Sequence, residues 1–202
     1  TEIISGTDPA EIMKATKNPV EISCTRRAHI KDGIAMVKFL HWIKTNVGKQ
    51  KITEISASDR LEAFRRQQPG CFDLSFDTIS GYMDNGAIVH YAPSPETDRE
   101  LKPEGLLLVD SGGQYKDGTT DITRTVVLGP LTGQMKEDYT TILKSNLTLS
   151  MAKFAKGTTG TQLDETARRP VRDRGLDFDH GTGHGVGHIL SVHEGPNNIS
   201  PR

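Results

Sequence analysis

The sequence predicts an α+β fold, and three features carry that expectation. Apolar residues recur at helical spacing over residues 25–47, strand-like runs and turn signals fill residues 75–127, and helical spacing returns from Met135 onward. Segregated blocks of helix and mixed strand suit α+β better than a regular βαβ alternation. At 202 residues the chain is long enough to bury a real core.

Residues 1–20 contain Gly6, Pro9 and Pro19 and read as a short helix plus a connector from a preceding domain. Over residues 25–47, Ile30, Ile34, Val37, Leu40, Trp42 and Ile43 give a long amphipathic helix that ends at Asn46 and Gly48. A second helix is expected over residues 56–68, with Leu61 and Phe64 inward and Pro69-Gly70 as its stop. Strands are expected at residues 78–82, 87–91, 106–111 and 119–127, with turn signals at Asn85-Gly86 and Asp117-Gly118. Met135, Tyr139, Ile142, Leu143, Leu147, Met151 and Phe154 predict another helix. A shorter helix follows near residues 162–174, weakened by Pro170, which lacks a backbone donor.

Charge excludes some functions. With 25 Lys+Arg against 26 Asp+Glu, no global field favours nucleic acid or an anionic membrane. Apolar runs such as residues 106–109 are strand-sized, far short of the roughly 18 residues a membrane helix needs. Cys24 and Cys71 lack metal-like spacing, and a chain of this size needs no disulfide framework, so a reducing cytoplasmic setting is expected. Thr1 at the start and the loop-like Ser200-Pro201-Arg202 at the end read as a fragment of a longer protein.

Two constellations can carry chemistry. Asp110 and Asp121 lie eleven positions apart across a run of turn-forming residues. In an antiparallel hairpin with an even-numbered loop, residues separated by an odd number face the same side. A two-residue Asp117-Gly118 turn would put Asp121 beside Gln114, roughly 13 Å along the strand from Asp110. A wider loop centred on Tyr115-Lys116, with Asp110 directly opposite Asp121, is therefore expected. Carboxylates that close repel, and a divalent cation relieves the repulsion. Read alone, the pair also suits a solvated hairpin with Asp110 capping a strand.

Four of the seven histidines, His180, His184, His188 and His193, fall within fourteen residues, interleaved with glycines. Imidazole is a common metal ligand and a proton donor near neutral pH, and glycine lets backbone approach a ligand closely. A glycine-rich turn with exposed histidines is the alternative, and His188 is its best candidate. His193-Glu194 is not a zincin helix, because no histidine follows at the required spacing and Gly195-Pro196 would break a helix.

Ile88-Val-His-Tyr-Ala-Pro93, Asp110 through Arg124 and His180 through Pro196 together resemble the catalytic domain of the Xaa-Pro aminopeptidases, or aminopeptidase P, among the pita-bread metallopeptidases. The wording is nearest the long, three-domain form. The resemblance implies a pita-bread fold that is incomplete at its C-terminal side. Residues 1–24 would be the tail of a preceding domain or a linker, and residues 25–202 the catalytic domain. It implies two divalent ions, manganese first with zinc or cobalt as substitutes, held by Asp110, by a bridging Asp121 and by His184. The family completes this set with two downstream glutamates, and Glu194 precedes those positions. His90 and His193 match catalytic histidines and His180 a substrate-lining one, while Thr123 and Arg124 read as support for the ligands. The implied reaction is attack of activated water on the carbonyl between an N-terminal residue and proline. The implied partner is a peptide substrate, in a homodimeric parent without nucleic acid or membrane. Prolidase and a metal-free binding module are the alternatives. Metal analysis of the 202-residue chain is expected to find fewer than two tightly bound ions; two would overturn the expectation.

Overall fold

The computed structural model describes Gly6 and residues 8–201. The chain runs through α1 (Pro9–Ala15), α2 (Pro19–Asn46), α3 (Glu54–Arg66), β1 (Cys71–Leu74) and β2 (Ile79–Tyr82). It continues through β3 (Leu106–Ser111), β4 (Gly113–Tyr115), β5 (Gly118–Thr119), β6 (Ile122–Val127), α4 (Gly133–Ser150), α5 (Gly160–Arg172), β7 (Gly183–Gly185) and β8 (Glu194–Ile199). Three antiparallel sheets result, ordered β1-β4-β5, β2-β3-β6 and β7-β8.

Helix α2 starts at Pro19, earlier than residue 25, because Asn18 caps it. The Asn18 side chain accepts from the amides of Val20 and Glu21, and the Glu21 carboxylate accepts from the Asn18 amide. Its inward face also differs from expectation. Ile30, Ile34 and Val37 remain exposed, while Ala28, Asp32, Ala35, Met36, Phe39 and Ile43 are buried. Ile43 is buried and Leu40 and Trp42 pack against the core as expected, so the stripe is right at its C-terminal end and fails at Ile30, Ile34 and Val37, where the inner face is instead Ala28, Asp32 and Ala35. Leu61 and the partly buried Phe64 of α3 point inward as expected, against a core of Phe39, Ile43, Ile52, Leu107, Val109 and Val126.

Asp32 is held by a two-point pair with Arg65 (Nε–Oδ1 2.6 Å, Nη2–Oδ2 3.1 Å) and accepts from the Tyr115 hydroxyl at 2.9 Å. Both side chains of the pair are essentially sealed from solvent. One carboxylate thus joins α2, α3 and the tip of the β-hairpin.

That hairpin keeps a single register from Leu106↔Val127 through Asp110↔Thr123 to Tyr115↔Gly118, although its two halves belong to different sheets. The turn is Lys116-Asp117. Neither the wide loop nor an Asp-Gly turn forms, so Asp110 faces Thr123, and Asp121 lies one dipeptide step along on the diagonal. Helix α2 imposes this choice: Tyr115 must reach Asp32, and Asp117 is paired with Lys31 and Arg27. The halves change sheets at Gly112, where an added Cβ would lie 2.0 Å from the Thr120 carbonyl oxygen and 2.1 Å from Ser75 Oγ. Only glycine allows that approach.

The strand expected at residues 87–91 is absent. A 3-10 helix spans Met83–Ala87 and a loop follows, both organised by the fully buried Glu54. Its carboxylate accepts from the Tyr82 amide (2.7 Å), Asn85 Nδ2 (2.9 Å), Tyr91 OH (3.0 Å) and the Arg99 amide (3.1 Å). Asn85-Gly86, read as a strand turn, therefore lies within helical backbone. The strand expected over residues 119–127 is split at Thr120-Asp121 into β5 and β6. Helix α4 stops at Ser150, short of Phe154, and leaves Tyr139, Ile142, Leu143 and Leu147 exposed. Helix α5 begins two residues before Gln162 and contains Pro170 near its C-terminal end.

Replacing Asp32 with alanine would strand the Arg65 guanidinium in the core. The expected loss is about 3–5 kcal/mol in urea unfolding, with much of it recovered in an Asp32→Leu/Arg65→Met double variant. A single variant within 1 kcal/mol of the parent, to order of magnitude, would contradict the anchoring role.

Candidate metal centre

The sheet switch leaves Asp121 in the gap between β5 and β6, on the same side of the hairpin as Asp110. Asp110 is fixed by Thr123, whose Oγ1 donates to Oδ1 at 2.7 Å, and Arg124 donates to the Thr123 carbonyl at 2.8 Å. Thr123 thus touches Asp110 directly, whereas the bond of Arg124 is to the adjacent Thr123 backbone. Diagonal neighbours of this kind have Cα atoms roughly 7–8 Å apart, within mutual reach of charged side chains. Burial first, and then the negative charge of Asp110, pushes the Asp121 carboxyl above its ordinary range, against the pull of His184 and His193.

His184 enters from the β7-β8 pair. Glycine at 185 permits the strands to close, since a Cβ there would lie 2.4 Å from the Glu194 carbonyl oxygen. His184 Nδ1 is 2.8 Å from the Gly185 carbonyl, which assigns the proton to that nitrogen. Nε2 then presents a lone pair 3.3 Å from Asp121 Oδ2. Metal–donor bonds of about 2.0–2.2 Å place neighbouring donors of one ion about 3.0–3.4 Å apart. The imidazole and carboxylate thus stand at the separation of two ligands to a shared cation, and such a cation would offset both the burial and the Asp110 charge that raise the Asp121 pKa.

The convergence stops at pairs. Among the described residues, no group of three or more His, Cys, Asp or Glu side chains could hold an ion. Asp110 acts on Asp121 through charge, while His193 packs edge-on against His184 with ring centroids 4.2 Å apart. His180 is exposed and stacks on Phe178 at 4.8 Å, with its Nδ1 2.7 Å from the Gly181 carbonyl. His90 is exposed in a left-handed conformation (φ 56°), and its imidazole makes no hydrogen bond among the described residues. His188 is half-buried rather than exposed, with its Nδ1 3.3 Å from Thr25 Oγ1 on α2.

A support that spacing did not reveal is Arg168. Buried on α5, it donates to Asp164 (2.7 Å), Asp177 (2.9 Å), the Phe178 carbonyl and the His180 carbonyl (2.7 Å). Asp164 in turn accepts from Thr182 at 2.6 Å, so the approach to His184 hangs from one guanidinium. Asp164 and Arg168 stand at ion-pair spacing on a helix, but that pattern is usually a solvated face.

Residues 23–202 match metallopeptidase family M24. The chain belongs to this family. The M24 chain is 43% identical to aminopeptidase P1 of Arabidopsis thaliana, covering 96% of this chain and 33% of that protein. It superimposes on the X-prolyl aminopeptidase of Caenorhabditis elegans, described as a cytosolic enzyme with a di-nuclear active site, with TM-score 0.92 and 41% identity. The match covers 96% of this chain and 32% of that one. The prolidase of Thermococcus sibiricus matches with TM-score 0.80 and 29% identity, over 95% of this chain and 50% of its own. The resemblance to Xaa-Pro aminopeptidases read from the motifs holds, and the α+β architecture is the pita-bread fold. The M24 chain spans about a third of the length of the curated relatives it matches.

Because folding raises the Asp121 pKa, ionising this group costs the folded state, and the cost sets in as pH rises through the carboxylate range. Without metal, Asp121→Asn is expected to melt above the parent at pH near 7, by about 2–4 °C per kcal/mol relieved. The gap should close as pH falls below the ordinary aspartate value of about 4. Calorimetry showing a constant gap would exclude the charge explanation.

Proposed function

We propose that the whole protein is a metal-dependent exopeptidase that releases the N-terminal residue from peptides with proline in second position. The observation that carries this reading is the Asp121–His184 pair, with the imidazole proton turned away to Gly185 and the two donor atoms 3.3 Å apart. Family membership and the Xaa-Pro aminopeptidase names of its relatives support it.

In this reading Asp110, Asp121 and His184 would hold two divalent ions, manganese first, with Asp121 expected to serve both. When bound, the ions polarise the scissile carbonyl and lower the pKa of attacking water. The chain's own residues do the rest. Thr123 keeps the Asp110 carboxylate turned toward the shared face, and Gly185 holds His184 in the tautomer that leaves Nε2 free to ligate. His193, edge-on to His184, donates to the developing oxyanion or to the leaving imino nitrogen of proline. His90 serves as the second donor, with its loop set by Glu54 and Tyr91, and His180 lines the peptide channel. Residues 1–24 form the link to a preceding domain. The partner is a peptide, the parent is a homodimer and the setting is cytoplasmic, without nucleic acid or membrane among its partners. No helix among the described residues is long and apolar enough to cross a membrane.

The test uses the full-length protein with a longer Xaa-Pro peptide, an Xaa-Pro dipeptide and a peptide lacking proline. The expected result is cleavage of the longer Xaa-Pro peptide, loss on chelation and recovery with manganese. Asp121→Asn should lower kcat by about 100-fold or more. Cleavage confined to the dipeptide would favour prolidase, and metal binding without hydrolysis would favour a binding module.

A further inference from the structure

Glu194 directly follows His193 and opens β8, yet its side chain is only 8% exposed. A buried carboxylate needs compensating charge, and this one receives it from the far end of the chain. Lys14 Nζ lies 2.8 Å from Oε1 and Lys17 Nζ 3.4 Å from Oε2. Burial works against the ionised form, and the two lysines outweigh it, holding the Glu194 carboxyl below its ordinary range. Lys14 also donates to Ser191 Oγ at 3.2 Å. Glu11 lies so close beyond them that a Cβ on Gly195 would stand 2.6 Å from its Oε1. The α1 segment therefore grips the chain on both sides of His193.

The rest of this loop is held from elsewhere. The Thr119 amide donates to the His188 carbonyl at 2.8 Å, and Gln114 Nε2 to the Leu190 carbonyl at 3.0 Å. These bonds fix the loop base to the metal-site hairpin. Within the loop the Gly187 amide donates to the Ser191 carbonyl at 2.7 Å, and Glu194 pairs with Gly185 in the β7-β8 ladder, so backbone bonds set the path while the Ser191 and Glu194 side chains on either side of His193 are held by Lys14 and Lys17.

We propose that α1 and the short connector after it are a positioning element for the site, with Lys14 on α1 and Lys17 in the connector acting through Glu194 to hold the His193 imidazole against His184. The inference rests on the role given to His193 above. It makes the segment before the M24 domain part of the site's support, so a disturbance there reaches the chemistry without touching a ligand.

The test is a Lys14→Met/Lys17→Met variant of the full-length protein, compared with the parent and with Lys14→Arg/Lys17→Arg. Hydrogen exchange read by mass spectrometry should accelerate in residues 186–194 of the Met variant, with the rest of the domain unchanged. On an Xaa-Pro peptide its kcat should fall about tenfold, with KM and bound metal unchanged, and the Arg variant should retain parental values. Unchanged exchange overturns the proposal, as does faster exchange with unaltered kcat, or loss of bound metal alongside activity. If the parent itself fails to cleave Xaa-Pro peptides while exchange still accelerates, the enzymatic reading fails and the clamp on the loop stands.

Discussion

The close approach of backbone at Gly112 is the constraint on which the site depends. A hairpin of constant register would normally stay in one sheet. Here it leaves β2-β3-β6 and joins β1-β4-β5, because nothing larger than hydrogen separates residue 112 from the Thr120 carbonyl and Ser75. The crossing opens a gap in the second arm, and Asp121 occupies it. Its carboxylate keeps the facing of Asp110 without being locked into a ladder pair, and it can meet an imidazole arriving from a separate strand pair.

Buried charge holds the surrounding joints. Asp32 with Arg65 ties two helices to the hairpin tip, Glu54 gathers the loop bearing His90, Arg168 suspends the approach to His184, and Glu194 collects α1. Ion pairs of this kind contribute little net stability over apolar substitutes, since desolvation offsets much of the attraction. Their directional hydrogen bonds nonetheless discriminate among arrangements that apolar contacts would tolerate equally. The Lys116-Asp117 turn is an instance: on α2, Tyr115 finds Asp32 and Asp117 finds Lys31 and Arg27, and the alternative register would leave Asp32 without its hydroxyl.

Local signals were well read where local physics governs. Strand Leu106–Ser111 was legible from its apolar run, and α3 from its periodicity and the Pro69-Gly70 stop. The odd separation of Asp110 and Asp121 correctly put both on one face. Their spacing along the strands was not legible, because the anchors that set the turn lie some 80–90 residues away on α2. Residues 87–91 resemble a strand by composition, but Glu54 offers their neighbours better hydrogen bonds than a ladder would. Along α2, apolar spacing identifies Leu40, Trp42 and Ile43 as inward but not Ala28, Asp32 and Ala35, because small residues and a charge there carry no apolar signal.

By itself the sequence determined the donor chemistry: two carboxylates on a hairpin, glycine-spaced histidines and a match to M24 motifs, all properties of residue type and short-range order. Only the tertiary structure decided which donors meet. It brought Asp121 to His184 and His193, left His90 and His180 without contact to that pair among the described residues, and enlisted Lys14 and Lys17 for Glu194. The reason is physical. Those distances follow from sheet switching and buried charge pairing between segments far apart in the chain, and neither leaves a trace in local periodicity.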